Sequence, residues 1–289
     1  MIQCFVNHPF TPTFSNGNQP KLLSASRIDA SYSIHPRIMH NHKDFAEILF
    51  VRSGSGMYVI ESERYPIQQG DLIICNSGVL HDEMPEENQD LNTYCIAIKE
   101  IRYDNLPPNA LIPSDARPVI PSGEDFEDLL RLYSVIYNQL ASGCDGRDEI
   151  AEFATLALLR IVKRITVQGL EPVQEPRSDL RVLSNQIKDY IDTHYSDELN
   201  LEVIAGAMNL SPYYLSHVFK KITGYSPMQY TLRRRIGEAQ TLLITTELSI
   251  TDIASRVGYG NPNYFNVIFT KNIGMSPSKY RKSYIERNK

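Results

Sequence analysis

Residues 201–230 read LEVIAGAMNLSPYYLSHVFKKITGYSPMQY, and residues 250–280 read ITDIASRVGYGNPNYFNVIFTKNIGMSPSKY. The second stretch repeats the first. Ala205 and Leu210 recur as Ala254 and Tyr259 at an offset of 49 residues. Leu215, Phe219, Gly224, Ser226-Pro227 and Tyr230 recur as Phe265, Phe269, Gly274, Ser276-Pro277 and Tyr280 at an offset of 50. The slip falls at Gly260-Asn261 and belongs to a turn. Self-similarity of this kind marks one supersecondary unit used twice. Each copy predicts a short helix, about Leu201–Met208 or Ile250–Val257, with a small residue (Ala205 or Ala254) where a second helix crosses. A turn follows, and then a helix opened by Pro212 or Pro262, where the missing N–H costs nothing. Ser211 and Asn261 suit the N-cap position. Leu215, Val218, Phe219 and Ile222, like Phe265, Ile268, Phe269 and Ile273, line one helix face. Gly224 and Gly274 end these helices. Between the copies Pro227–Leu243 reads as one long helix that fixes the spacing of two helix-turn-helix units.

The charge distribution sets this segment apart. Residues 181–289 carry 14 Lys+Arg and 9 Asp+Glu, whereas residues 1–180 carry 15 and 25, within a chain of net charge −5. A basic module on an acidic body points to a polyanion partner. The 289 residues are 42% hydrophobic and 22% charged, which excludes general disorder. Cys4, Cys75, Cys95 and Cys144 form no C-x-x-C pair, so no disulfide scaffold is expected, and Cys75 and Cys95 read as core thiols. No apolar run approaches the ~18 residues of a membrane span. The N-terminus shows no secretory pattern, and a cytoplasmic protein without membrane contact is expected.

Upstream the period changes. Phe45–Val51, Gly56–Ile60, Asp71–Cys75 and Asn92–Ile98 are short apolar runs separated by Gly-rich turns, as in a small barrel or sandwich. The Pro-rich residues 104–123 predict an irregular connection. Phe126, Leu129, Leu130, Tyr133, Ile136, Tyr137 and Leu140 then recur at helical steps, and a second helix is expected over about Asp148–Val167. The chain divides into a barrel (1–122), two helices (123–168), a linker (169–180) and an all-helical segment (181–289). The fold class is α+β multidomain.

Residues 185–287 resemble the DNA-binding domain of the AraC/XylS family of bacterial transcription regulators. The resemblance runs through Arg235-Ile236-Gly237-Glu238-Ala239, Leu242-Leu243, Ile253-Ala254, Val257-Gly258-Tyr259, Tyr264-Phe265, Phe269, Gly274, Ser276-Pro277 and Tyr280-Arg281. It implies two recognition helices in successive major grooves of double-stranded DNA, with a homodimer and RNA polymerase as further partners. Side chains not needed for packing are the candidate readers: Tyr213, Tyr214, Ser216, His217, Lys220 and Lys221 in the first unit, and Asn261, Asn263, Tyr264, Asn266, Val267, Thr270 and Lys271 in the second. Asn263 and Asn266 suit adenine, and Val267 a thymine methyl. Lys220, Lys221, Lys271, Arg233, Arg234 and Arg235 suit phosphates. Tyr214 and Tyr264 read equally well as packing residues. The family often has Arg where Val267 stands and Lys where Thr270 stands, so the first unit is expected to supply more of the affinity.

The N-terminal half resembles the two motifs of the cupin fold, with His40-x-His42-x4-Glu47 followed by Gly70-x5-Asn76-x-Gly78-x2-His81. It departs at Ile34, Asn76 and Pro85, where the motifs carry Gly, Pro and Asn. In metal-binding cupins the positions of His40, His42, Glu47 and His81 hold a divalent transition metal, and imidazole and carboxylate suit such an ion. In many AraC-type regulators the same side chains instead bond a ligand or each other. Strand alternation puts His40 and His42 on one face. Arg52, Glu83 and Tyr94 fall near sugar-contacting positions of arabinose-type regulators. The resemblance therefore implies a small-molecule effector, a sugar or related metabolite, in the barrel. It places a dimer surface on the helices at 124–168, through Tyr133, Ile136, Tyr137 and Leu140, or packs these on the chain's own barrel. The expected function is ligand-responsive transcription regulation without enzymatic activity. A metal-dependent cupin enzyme, an isomerase or dioxygenase, fused to a DNA-binding tail is the alternative.

Overall fold

The structure is a computed structural model describing residues 3–4, 13–14, 19–30, 37–61, 63–83, 90–169 and 179–285. Ile34, Pro85 and most of the expected linker lie outside the described residues.

β1 (Lys21–Ile28), β2 (Ala46–Ser53), β3 (Ser55–Ile60), β4 (Glu63–Gln68), β5 (Asp71–Cys75), β6 (His81–Glu83), β7 (Asn92–Lys99) and β8 (Val119–Pro121) form two antiparallel sheets. One has the order β1-β7-β2-β5-β8 and the other β4-β3-β6. β8 lies inside the Pro-rich segment read as irregular; the sequence run Val119-Ile120 pairs with Leu72 and Ile73. Gly54 turns β2 into β3 at φ 84°, where a Cβ would overlap the Asp90 carbonyl.

β2 is buried along most of its length because both its faces are covered. Ile48 and Phe50 point to a helical layer with Leu72, Ile74, Tyr94, Ile96 and Ile98. Leu49 and Val51 point between the sheets with Tyr58, Ile67, Ile73 and Cys75. The helical layer is α1 (Phe126–Ala141) and α2 (Arg147–Gly169). α1 follows a 3-10 turn over Gly123–Asp125, and Glu127 and Asp128 lie in its first turn, where negative charge meets the positive end of the helix dipole. Tyr133 settles the two readings of this helix. It stacks on Phe50 at 5.3 Å and Tyr94 at 5.9 Å, and its hydroxyl donates to Ile48 O at 3.1 Å. Tyr133 and Ile136 are fully buried on the chain's own sheet and are no dimer surface.

The C-terminal half contains α3 (Asp179–His194), α4 (Leu201–Ala207), α5 (Pro212–Thr223), α6 (Pro227–Thr245), α7 (Ile250–Arg256), α8 (Pro262–Ile273) and α9 (Pro277–Ile285). The repeat holds down to the caps. Ser211 accepts from Tyr214 N, Asn261 accepts from Asn263 N and Tyr264 N, and Pro212 and Pro262 each stand in the first helical turn. Gly224 and Gly274 close α5 and α8 at φ 79° and 80°, a left-handed conformation that glycine adopts without strain. Ser226 and Gln229 cap α6 reciprocally. Ala205 and Ala254 are buried at the crossings, beside Leu215, Phe219, Phe265 and Phe269. α6 runs two residues past the expected Leu243.

Candidate DNA-reading face and barrel site

α5 and α8 each bury one stripe and leave the other open. Tyr213, Tyr214, His217, Lys220 and Lys221 are exposed on α5, and Asn263, Tyr264, Val267, Thr270 and Lys271 on α8. Ser216 and Asn266 are half-buried. Tyr213 is 82% exposed and its ring lies nearly parallel to that of His217, 6.3 Å away. An exposed phenol–imidazole pair beside two lysines offers hydrogen-bonding groups and positive charge to base edges and phosphates. Tyr264 is 57% exposed, with its ring 6.0 Å from Tyr259.

Two groups of expected readers are otherwise engaged. The Asn261 side-chain oxygen caps α8, and the Asn266 amide donates to Pro262 O at 3.1 Å. The three successive arginines are structural. Arg234 is 5% exposed, paired with Asp192 at 3.4 Å and Glu238 at 3.4 Å, and it lies over the Tyr195 ring. Arg235 donates to Tyr195 O at 2.6 Å and Asp197 O at 2.7 Å. Arg233 donates to Asp82 of the barrel at 2.6 Å. Consecutive helical residues point in three directions, and here all three meet protein because α6 is packed around much of its circumference.

In the barrel the four expected donors converge. Side-chain ligand atoms of His40, His42, Glu47 and His81 all lie within 4.8 Å of one another. Glu47 comes from β2 and His81 from β6, while His40 makes an isolated bridge to His81 and His42 lies in the loop before β2. The strand expected to carry His40 and His42 is thus only that single bridge. Glu47 Oε2 is 3.1 Å from His81 Nε2, and Oε1 is 3.2 Å from His42 Nε2. His81 Nδ1 lies 3.0 Å from Val79 O, which leaves Nε2 directed into the cluster. Phe45 stacks on His42 at 4.1 Å, and Tyr58 lies parallel to His81 at 6.3 Å.

Burial holds the pKa of His40 well below the usual histidine value, helped by the Arg37 cation, so His40 is neutral. Burial also lowers His42. For Glu47 burial acts upward, but the adjacent His42 and His81 outweigh it and the carboxyl ends well below its ordinary value. For His81 burial acts downward, and Cys75 and Glu47 outweigh it, so the ring is held well above its ordinary value. The buried His40 Nδ1 has no hydrogen-bond partner, and His42 Nε2 faces only Glu47 Oε1. Three imidazoles and one carboxylate, with ligand atoms this close and one buried ring nitrogen unpaired, are a donor set that fits a divalent transition metal.

Arg52 and Tyr94 do not join them. Arg52 is five residues from Glu47, an odd step that turns it to the other face of β2. There it bonds Asp29 and lies over the Tyr94 ring at 5.4 Å, on the helical side of the sheet. Glu83 is two residues beyond His81 and shares its face; burial pushes its carboxyl up to about 7. Cys75 and Tyr58, beside His81, were not among the expected residues, although both fall on inward positions of their strands. A separate cavity, lined by Ser55, Pro66, Gln68, Asp71 and Arg117 among others, opens at the edge of the two sheets away from the four donors.

A duplicated helix-turn-helix domain attached to a β-barrel with helical backing defines a two-part DNA-binding regulator. The family described as AraC-like ligand binding domain matches residues 23–149, and the helix-turn-helix domain family matches residues 204–283. The chain belongs to the AraC/XylS family of transcription regulators. It is 27% identical over 285 residues to the uncharacterized HTH-type transcriptional regulator YdiP of Escherichia coli K12, covering 98% of this chain and 92% of that one. It is 26% identical to the HTH-type transcriptional activator RhaS of Enterobacter sp. strain 638, over 93% of this chain and 94% of that one. Among solved structures, the C-terminal domain of AraT, a response regulator from Geobacillus stearothermophilus, is 39% identical, with a TM-score of 0.36, over 37% of this chain and 88% of that one. No helix among the described residues is long and apolar enough to cross a membrane.

Proposed function

We propose that the chain is a cytoplasmic, ligand-responsive regulator, not an enzyme, that binds specific duplex DNA through α5 and α8. The observation that carries this is the pair of matched recognition helices, each with an exposed polar face beyond a buried stripe. Tyr213, Tyr214, His217, Asn263, Tyr264 and Val267 face bases, and Lys220, Lys221 and Lys271 face phosphates. The chain acts as a homodimer through the helices at 124–168 and works with RNA polymerase. Deleting the gene, profiling transcripts and footprinting the purified chain on the promoters that change tests this. Protection over two successive helical turns on one face is expected, and no protection contradicts it.

The barrel senses a small molecule, a sugar or related metabolite, and His40, His42, Glu47 and His81 hold a divalent transition metal such as zinc. When bound, the ion supplies a fixed positive charge to which an anionic or hydroxylated effector can attach. The convergence of the four donors within 4.8 Å and the unpaired, buried Nδ1 of His40 support this. Metal analysis of the purified chain, followed by a thermal-shift screen of sugars and sugar acids, tests it. A ligand at 100 times its Kd stabilises by about 2.7 kcal/mol. A metal-free protein with no shift for any compound contradicts it.

A further inference from the structure

The two helix-turn-helix units differ at one place in the repeat. Asn209 and Gly258 hold the same position, each directly before the turn residue Leu210 or Tyr259. Both have a positive φ, 54° at Asn209 and 86° at Gly258. Asparagine tolerates that backbone conformation, so the turn by itself does not require glycine. Asn209 is exposed, whereas Gly258 is half-buried. A Cβ on Gly258 would lie 2.7 Å from Ser196 O and 3.0 Å from the guanidinium carbon of Arg235. Ser196 belongs to the first unit, in the loop between α3 and α4. The turn of the second unit is thus seated on a loop of the first, and the close approach explains the glycine.

Arg235 of α6 fastens this joint. It donates from Nε to Tyr195 O at 2.6 Å and from Nη2 to Asp197 O at 2.7 Å. Both carbonyls lie just beyond the end of α3, where backbone acceptors lack a helical partner and the helix dipole favours a cation. The loop is braced from within: Asp197 O also accepts from Leu199 N at 2.8 Å, and Asp197 Oδ2 lies 2.9 Å from His194 Nδ1. The same guanidinium lies over the Tyr259 ring, 5.3 Å from its centroid. Tyr259 in turn packs on Phe265 at 5.5 Å and Tyr264 at 6.0 Å, both in the first turn of α8. One guanidinium therefore spans from a loop of the first unit to the base of the second recognition helix. The first unit carries Leu210 where Tyr259 stands, so this contact belongs to the junction of the units and not to the repeated unit itself.

We propose that this joint, with Arg235 on the carbonyls of Tyr195 and Asp197 and Gly258 seated against Ser196, sets the spacing and phase at which α5 and α8 meet DNA, and makes the distance between the two base blocks part of this chain's specificity. It rests on the reading of α5 and α8 as duplex readers. α6 packs with both units, and the joint closes the triangle by a direct contact of one unit with the other. Arg235 and Gly258 are positioning residues: neither side of the joint reaches the exposed faces of α5 and α8. Readers held in one relative orientation lose less freedom on binding. They also reject a duplex whose blocks are out of phase, because seating one reader then leaves the other off its bases. One base pair shifts a block by about 3.4 Å and about 35° around the duplex.

The test uses the full chain and a duplex that it selects from a randomised library, with one base pair inserted or removed between the two blocks. Either change is expected to weaken wild-type binding about tenfold or more, the scale of losing one bidentate base contact. Arg235→Ala removes both carbonyl contacts. Gly258→Asn keeps a residue that tolerates the positive φ, as Asn209 does, and removes the clearance to Ser196. Each variant is expected to select the same two blocks and to bind the original duplex about two- to tenfold more weakly, the cost of ordering a side chain or loop on binding. The penalty for the spacing change should shrink to less than about threefold. Unchanged blocks separate a loosened joint from a damaged reader, and thermal unfolding identifies a variant that fails to fold, in which case the other carries the test. A wild-type chain indifferent to the one-base-pair change overturns the proposal. So does either folded variant that keeps the wild-type penalty. A wild-type chain that selects no two-block motif overturns it too, and puts the failure in the reading of α5 and α8 rather than in the joint.

Discussion

Gln240 donates through Nε2 to the hydroxyl of Tyr280 at 2.9 Å, and both residues are 1% exposed. Its Oε1 accepts from Ile38 N. One buried carboxamide thus joins the barrel, the helix between the readers and the helix that closes the second reader. Gln240→Leu keeps most of the volume and loses both bonds, which should cost about 1–3 kcal/mol, because a buried N–H left unpaired bears its full desolvation penalty. Denaturant unfolding measures this; an unchanged midpoint contradicts the assigned role.

Lys220 and Lys221 are exposed at the end of α5. Replacing each by Ala should weaken binding to all duplexes alike and reduce the salt slope by about one, since a phosphate contact carries no base information. A change in the selected sequence on either substitution would place that lysine on a base instead.

Asn261 and Asn263 are two residues apart and should behave differently. Asn263→Ala should relax preference at one base pair, at about 1–3 kcal/mol if the contact is bidentate. Asn261→Ala removes the α8 cap and should cost about 1 kcal/mol of stability, with little change in sequence preference. The reverse pattern would exchange the two roles.

The C-terminal half was legible because every repeated residue has a local task. Ser211, Pro212 and Gly224 cap, start and stop a helix wherever that helix packs. The arginines were not legible. Asp192 and Tyr195, which claim Arg234, are some forty residues away along the chain, and Asp82, which claims Arg233, belongs to the other half. Their partners exist only after α6 has docked. The barrel was legible in part. The resemblance to the cupin motifs brought out His40, His42, Glu47 and His81 as a set, but the odd step from Glu47 to Arg52 already turned Arg52 away, a consequence of strand period alone. The fate of Tyr133 depended on which sheet face α1 covers, and an amphipathic pattern does not specify its partner.

With Tyr133 and Ile136 buried, the large apolar side chains left exposed among the described residues of α1 and α2 are Val135, Ile150, Phe153 and Val167. Dimerisation through these helices should therefore depend on Phe153, which is 59% exposed. The wild-type chain should scatter light as roughly twice its 32.9 kDa at micromolar concentration, and Phe153→Asp should return it to one chain. A wild-type monomer, or a dimer indifferent to Phe153→Asp, contradicts this interface.

The most direct measurement is selection of duplexes from a randomised library by the full chain, followed by titration of the selected duplex across roughly 50 to 200 mM salt. The expected result is a motif with two conserved blocks about one helical turn apart, read by α5 and α8. Affinity for it should fall about a hundredfold or more over that salt range. Binding without sequence preference, or affinity that does not respond to salt, would contradict a DNA reader built from these two helices.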